Sequence, residues 1–264
     1  MTVETIDLDW AGRRVRIEHE WLGAERADAP LLIFLHEGLG SRSMWRDFPR
    51  RLCDAGQLRG LVYSRPGYGR STPRTADERW GADFMHRQAQ QLLPALRQAL
   101  HIEQPAWLVG HSDGGSIALL HAAQHPEAVA GLILMAPHLF VEDVSIASIE
   151  RTRELFEGTD LAQRLARHHD DVDSAFWGWN DIWLDLAFRS WNIEAEVARI
   201  RCPVLAIQGN ADEYGTMQQI RRIRQQLPSA QLLELADCGH SPHRDQPDQV
   251  VAASVGFIAA VERR

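Results

Sequence analysis

Two kinds of hydrophobic pattern run along this chain. In RRVRIEHEW (13–21), Val15, Ile17, His19 and Trp21 fall on one side of a period-two repeat, which predicts a half-buried strand. The turn in LDWAG just before it makes ETIDLDW its hairpin partner. From residue 30 the pattern changes. PLLIFLHE (30–37), GLVYSR (60–65), AWLVGH (106–111), AGLILMAP (130–137), CPVLAIQG (202–209) and QLLELAD (231–237) are short, continuous apolar runs. Such runs mark strands covered on both faces. Helical patterns at 79–100, 115–125, 216–227 and 246–262 separate most of them. Buried strands alternating with helices predict an α/β fold: a mostly parallel eight-stranded sheet flanked by helices, with the hairpin as an antiparallel edge.

The alternation stops between 138 and 200, where no buried-strand run occurs and AFWGWNDIWLDLAFRSW carries Trp177, Trp179, Trp183 and Trp191 with Phe176 and Phe188. A segment that long is not a bare loop. The expectation is a helical cap at 138–200, inserted into a core formed by 1–137 and 201–264. An amphipathic cap needs an apolar face to dock, but four tryptophans exceed that need, so Trp177, Trp179 and Trp183 are candidates for a substrate pocket.

Composition narrows the partners. The chain has 264 residues, 45% hydrophobic and 24% charged, with a net charge of −8, an ordinary globular balance. Arginines are spread rather than clustered, so no nucleic-acid surface is expected. No apolar run approaches the ~18 residues of a membrane span, and the start of the chain lacks a signal pattern. Cys53, Cys202 and Cys238 are odd in number and lack metal spacing, so reduced thiols and a cytoplasmic location are expected. The expected partner is a small-molecule substrate, with no cofactor and no metal. LARHHDDVDS (165–174) has the residue types of a metal cluster, but its adjacent histidines point in different directions on a helix; it reads as a solvated helix end.

The densest chemical signal is LVGHSDGGS (108–116). Gly110-His111-Ser112-Asp113-Gly114 fits G-x-S-x-G, between a buried strand and a helix. A strand turning straight into a helix strains the serine backbone and presents its hydroxyl at the sheet's carboxyl end. A serine hydroxyl needs a base to take its proton, and the base needs a partner to fix its tautomer. Asp212, in the loop after strand 202–209, and His240, after strand 231–237, follow in the order this arrangement uses. Glu213 and His243 are the neighbouring alternatives. An oxyanion hole needs two N–H donors. Asp113 would supply one, and HEGLGS (36–41) the other, with Gly38 favoured over Glu37 and Leu39. The Asp113 carboxylate would sit in the first turn of a helix, where the macrodipole favours negative charge; the competing reading is a polar contact to substrate. His36 and His111 would make supporting hydrogen bonds. PGYGRST (66–72) is a turn, with Tyr68 a weaker pocket candidate.

FLHEGLGS, SRPGYGRST, GHSDGGS, IQGNADEYG and CGHSPHRDQP together resemble the α/β-hydrolase superfamily, in its serine-nucleophile esterase, lactonase and carbon–carbon hydrolase branch. The resemblance implies an eight-stranded sheet, a Ser–His–Asp triad and a cap that shapes specificity. His36-Glu37 departs from the His-Gly of most relatives. The expected activity is hydrolysis of a small carboxylic ester or lactone through an acyl-enzyme. The alternatives are a carbon–carbon hydrolase acting on a ring-cleavage diketone, a thioesterase or aminopeptidase-like amidase, and a ligand receptor with vestigial hydrolysis.

Overall fold

A computed structural model describes residues 2–75 and 77–263. Eight strands form one sheet: β1 (Val3–Trp10), β2 (Arg13–Leu22), β3 (Leu31–Leu35), β4 (Arg59–Tyr63), β5 (Ala106–His111), β6 (Val129–Met135), β7 (Val204–Gly209) and β8 (Gln231–Leu235). Their order is β1-β2-β4-β3-β5-β6-β7-β8. The β1–β2 hairpin is antiparallel and joins β4 in the same sense; every pairing from β4 to β8 is parallel.

The continuous apolar runs are explained by two cores. Leu32, Phe34, Trp107, Val109 and Ile133 point into one, while Ile33, Leu35, Leu108, Leu132 and Leu134 point into the other. A strand with helices on both faces has no polar face to show. The edge strand β8 departs from this expectation: most of its residues remain half-exposed or exposed.

The helices are α1 (Phe48–Gly56), α2 (Phe84–Arg87), α3 (Leu93–Ala99), α4 (Asp113–Gln124), α5 (Asp143–Gly158), α6 (Leu161–Leu165), α7 (Val172–Leu184), α8 (Glu194–Val197), α9 (Gln218–Gln226), α10 (Pro242–Asp245) and α11 (Pro247–Glu262). A π-helical turn, Gln88–Leu92, joins α2 to α3. Helix α1 was not foreshadowed by the apolar periodicity, although Pro49 near its start and buried Phe48, Leu52 and Cys53 account for it.

Between β6 and β7 the chain runs through α5–α8. Phe156 stacks on Phe176 at 3.7 Å between ring centroids, and Asn180 Nδ2 donates to the Ile149 carbonyl (3.2 Å), binding α5 to α7. The segment read as a solvated helix end follows the end of α6 and exposes Ala166, Arg167, Asp170, Asp171 and Asp173, but its histidines are engaged. His169 is buried, with Nδ1 accepting from the Gly69 N–H (3.0 Å) and Nε2 donating to the Leu39 carbonyl (3.1 Å). His168 Nδ1 meets Ser43 Oγ at 2.8 Å. These histidines tie the insertion to the loop after β3. Among the described residues no cluster of ligand side chains is arranged to hold a metal ion, and no helix is long and apolar enough to cross a membrane.

Candidate active site

Ser112 lies between β5 and α4 with φ 53° and ψ −122°, a left-handed backbone that costs a non-glycine residue about 1–3 kcal/mol. The turn closes because its neighbours are bare: a Cβ on Gly110 would overlap the Gly114 backbone, and one on Gly114 would overlap the Leu35 carbonyl. The Ser112 N–H donates to the Met135 carbonyl (2.9 Å), and its own carbonyl accepts from Gly115 and Ser116.

Three predicted residues meet here. Ser112 Oγ lies 2.9 Å from His240 Nε2, and His240 Nδ1 lies 2.8 Å from Asp212 Oδ1. Asp212 Oδ1 also accepts from the backbone N–H groups of Tyr214 (2.8 Å) and Gly215 (3.2 Å), and Oδ2 from Gln208 Nε2 (3.2 Å). Burial alone would raise the Asp212 carboxyl, but its hydrogen bond to His240 and the Tyr214 N–H hold it below its ordinary value. Burial alone would lower the His240 imidazole, but the hydrogen bond and charge of Asp212 hold it above its ordinary value. A carboxylate accepting from Nδ1 leaves Nε2 free to accept the serine proton. The neighbouring candidates do other things. Glu213 Oε2 accepts from the His240 backbone N–H (3.2 Å). His243 packs against Trp45, with 4.9 Å between ring centroids, and both its ring nitrogens are buried without a hydrogen bond.

A cavity of about 110 Å³ opens at Ser112, with Gly38 and Asp113 in its wall. As the first residue of α4, Asp113 has an N–H that no helical carbonyl reaches. The loop carrying Gly38 is held from behind. The Glu37 carbonyl accepts from the Gly40 N–H (3.0 Å), Arg65 Nη2 (2.8 Å) and His36 Nδ1 (2.8 Å). His36 Nε2 in turn accepts from the Arg65 N–H (3.0 Å), fixing its tautomer. The Glu37 side chain faces His111 Nδ1 at 3.4 Å, and His111 Nε2 donates to the His240 carbonyl (2.7 Å). Despite burial, which opposes it, His111 holds the Glu37 carboxylate well below the usual range. The glutamate that departs from His-Gly thus joins the loop after β3 to the loop carrying His240.

The Asp113 side chain stands in the first turn of α4, as expected, but it is not a solvated helix-end charge. It is fully buried and pushed up to about 6 by desolvation, against the pull of Arg65 and Trp183. Trp183 Nε1 donates to its Oδ1 (3.2 Å), linking the turn at Ser112 to α7.

Trp179 and Trp183 line the cavity; the other two pocket candidates do not. Trp177 is on the outward side of α7, under the Arg153 guanidinium at 5.2 Å, because two positions along a helix turn a side chain away from its neighbour. Tyr68 is buried behind the loop after β3, 4.7 Å beneath Arg65 and 5.1 Å from the His36 ring. Sequence reasoning missed His138, Ile149 and Tyr214, which also border the cavity. His138 follows the carboxyl end of β6, where open α/β sheets build their sites, and that position was the available signal. Its ring stands 4.9 Å from Trp183 and 5.8 Å from His240, and burial lowers it to about 3.

With this geometry in place, the relationships are clear. The alpha/beta hydrolase family model matches residues 32–253, and the chain belongs to that family; fold and family make it a hydrolase. It is 28% identical to 2-succinyl-6-hydroxy-2,4-cyclohexadiene-1-carboxylate synthase of Enterobacter sp. (strain 638), over 84% of this chain and 89% of that protein. It is 24% identical to 2-hydroxy-6-oxo-6-phenylhexa-2,4-dienoate hydrolase of Comamonas testosteroni, over 89% of each. A thermophilic esterase from Thermogutta terrifontis superimposes with a TM-score of 0.75 at 20% identity, covering 99% of both chains.

Proposed function

We propose that the protein hydrolyses a small carboxylic ester or lactone through an acyl-enzyme. The observation that carries this reading is the hydrogen-bonded series Ser112 Oγ, His240 Nε2, His240 Nδ1, Asp212 Oδ1, at 2.9 and 2.8 Å. Ser112 attacks the carbonyl carbon while His240 takes its proton; Asp212 keeps Nδ1–H in place and stabilises the imidazolium. The backbone N–H groups of Asp113 and Gly38 receive the developing oxyanion. His240 then protonates the leaving oxygen, and water repeats the sequence to release the acid. The α5–α8 segment acts as a cap, and a cavity of about 110 Å³ holds an acyl group on the scale of a single ring, a little below the ~150 Å³ that accommodates benzene.

A fluorophosphonate probe is expected to label the wild type at Ser112 and to leave Ser112→Ala unlabelled; labelling that survives the substitution overturns the assignment. The second reading, a carbon–carbon hydrolase, is favoured by the relationship to the Comamonas dienoate hydrolase. Turnover of a ring-cleavage diketone with p-nitrophenyl esters scarcely touched would establish it in place of the first.

A further inference from the structure

Trp179 is 6% exposed, borders the cavity, and its indole N–H makes no hydrogen bond among the described residues. Indole Nε1–H is a donor only, and a buried one usually finds an acceptor. Trp107 donates to Glu262 (2.9 Å) and Trp183 to Asp113 (3.2 Å). The Nε1 atoms of Trp10, Trp45 and Trp191 are sealed and unpartnered. Trp179 belongs to neither group: its Nε1 is not sealed, and it has no partner among the described residues.

Gly38 locates that donor. A Cβ at residue 38 would overlap Cδ1 and Nε1 of Trp179. The pyrrole edge of the indole therefore fills the space where a side chain on the loop after β3 would stand. Gly38 does not have a positive φ, so this close approach is what the missing side chain serves. The N–H stands beside the peptide assigned above to the oxyanion, while Leu39, Ile149 and Trp183 make nearby walls apolar.

We propose that Trp179 is a specificity-determining residue whose Nε1–H donates to an oxygen on the acyl part of the substrate, on the carbon next to the scissile carbonyl. The preferred substrates are then esters or lactones of short acids bearing a 2-alkoxy, 2-hydroxy or 2-oxo group. This rests on the ester-hydrolase reading. The small cavity keeps the acceptor close to the scissile bond, and an unsubstituted acyl chain leaves the donor unpaired.

The test uses p-nitrophenyl methoxyacetate and p-nitrophenyl butyrate, whose acyl chains match in length and differ by an oxygen in place of a methylene. Trp179→Phe keeps an aromatic ring and removes the donor. The kcat/KM ratio of methoxyacetate to butyrate is expected to fall about fivefold, the worth of one neutral hydrogen bond, whatever the change in pocket shape does to both esters together. Gly38→Ala, which keeps its backbone N–H and displaces the indole edge, is expected to lower the ratio in the same direction and serves if Trp179→Phe does not fold. An unchanged ratio, with both rates kept or both reduced together, overturns the proposal and leaves ester hydrolysis standing. A wild type that hydrolyses neither ester overturns both readings.

Discussion

The loops at the carboxyl end of the sheet and the helices between β6 and β7 meet at one cavity, but they treat their polar groups differently. On the sheet side the groups around His240 have many partners, although both ring nitrogens of nearby His243 have none among the described residues. Asp212 accepts from His240, Tyr214, Gly215 and Gln208, and the Glu37 carbonyl accepts from three donors. The helical side and the approach to it leave groups open. Among the described residues Trp179 has no acceptor, and His138 Nδ1, in the loop leading from β6 into the helices, is buried without a partner. A group with its hydrogen bonds satisfied is fixed in place, which a proton relay requires. A buried polar group without a partner carries a penalty that a matching ligand can remove. On the proposed reading, the sheet side serves geometry and the helical side recognition.

The largest predicted effect falls on the saturated side. Asp212→Asn is expected to lower kcat by about 10⁴-fold with the fold retained, because an amide cannot hold Nδ1–H in place. The pH profile moves with it. His240 is held above its ordinary value by Asp212, and only neutral His240 accepts the serine proton. In the wild type kcat/KM should therefore fall as pH drops through a value above 6.5, and in Asp212→Asn that inflection should shift downwards. Ester hydrolysis measured from pH 5 to 9 reads both; a loss under tenfold would break the contrast on its strongest side.

Asp113 stands at the junction, with its backbone on the sheet side and its carboxyl bonded to α7. Burial pushes that carboxyl up to about 6, from an ordinary value of 3.8. Between those values the folded protein binds more protons than the unfolded chain, so stability falls as pH rises from about 4 to 6 and stays lower above that. The shift corresponds to roughly 3 kcal/mol. Asp113→Asn has no such titration and keeps a carbonyl for Trp183. Urea unfolding should show the variant gaining on the wild type as pH rises through this window, with the gain complete by pH 7. Equal pH slopes would place the carboxyl in a more polar setting than the burial implies.

The same division explains what could be read from sequence. Both-face burial forces continuous apolar runs, which made the inner strands visible, alternation and a turn marked the β1–β2 hairpin, and the G-x-S-x-G turn with Asp212 and His240 in ordered loops gave the hydrogen-bonded series residue by residue. The side-chain directions in the helical segment were not visible. Trp177 and Trp179 are two positions apart and share one composition signal, but helical rotation sends one to the surface and the other into the cavity. The burial of His169 and of the Asp113 carboxyl also depended on partners from distant segments: Gly69 and Leu39 for the histidine, Trp183 for the acid. Local pattern read the histidine as solvated and put Asp113 in the first turn of its helix, where it is, but it could not show the partners that bury them.

The smallest predicted effect sharpens that last distinction. Trp177 is half-buried, edge-on to Phe176 at 5.0 Å and to Phe156 at 5.6 Å, with Arg153 over its ring. None of these contacts reaches the cavity. Trp177→Leu removes a cation–π contact and some packing, about 1 kcal/mol together, and should lower the melting temperature by about 2–4 °C. Its kcat/KM toward p-nitrophenyl esters should stay within twofold of wild type, and the methoxyacetate-to-butyrate ratio should not move. A ratio that shifted as it does in Trp179→Phe would mean that loosening the α5–α7 packing is enough to change selectivity. Selectivity would then depend on the rigidity of the helices rather than on the indole donor they present.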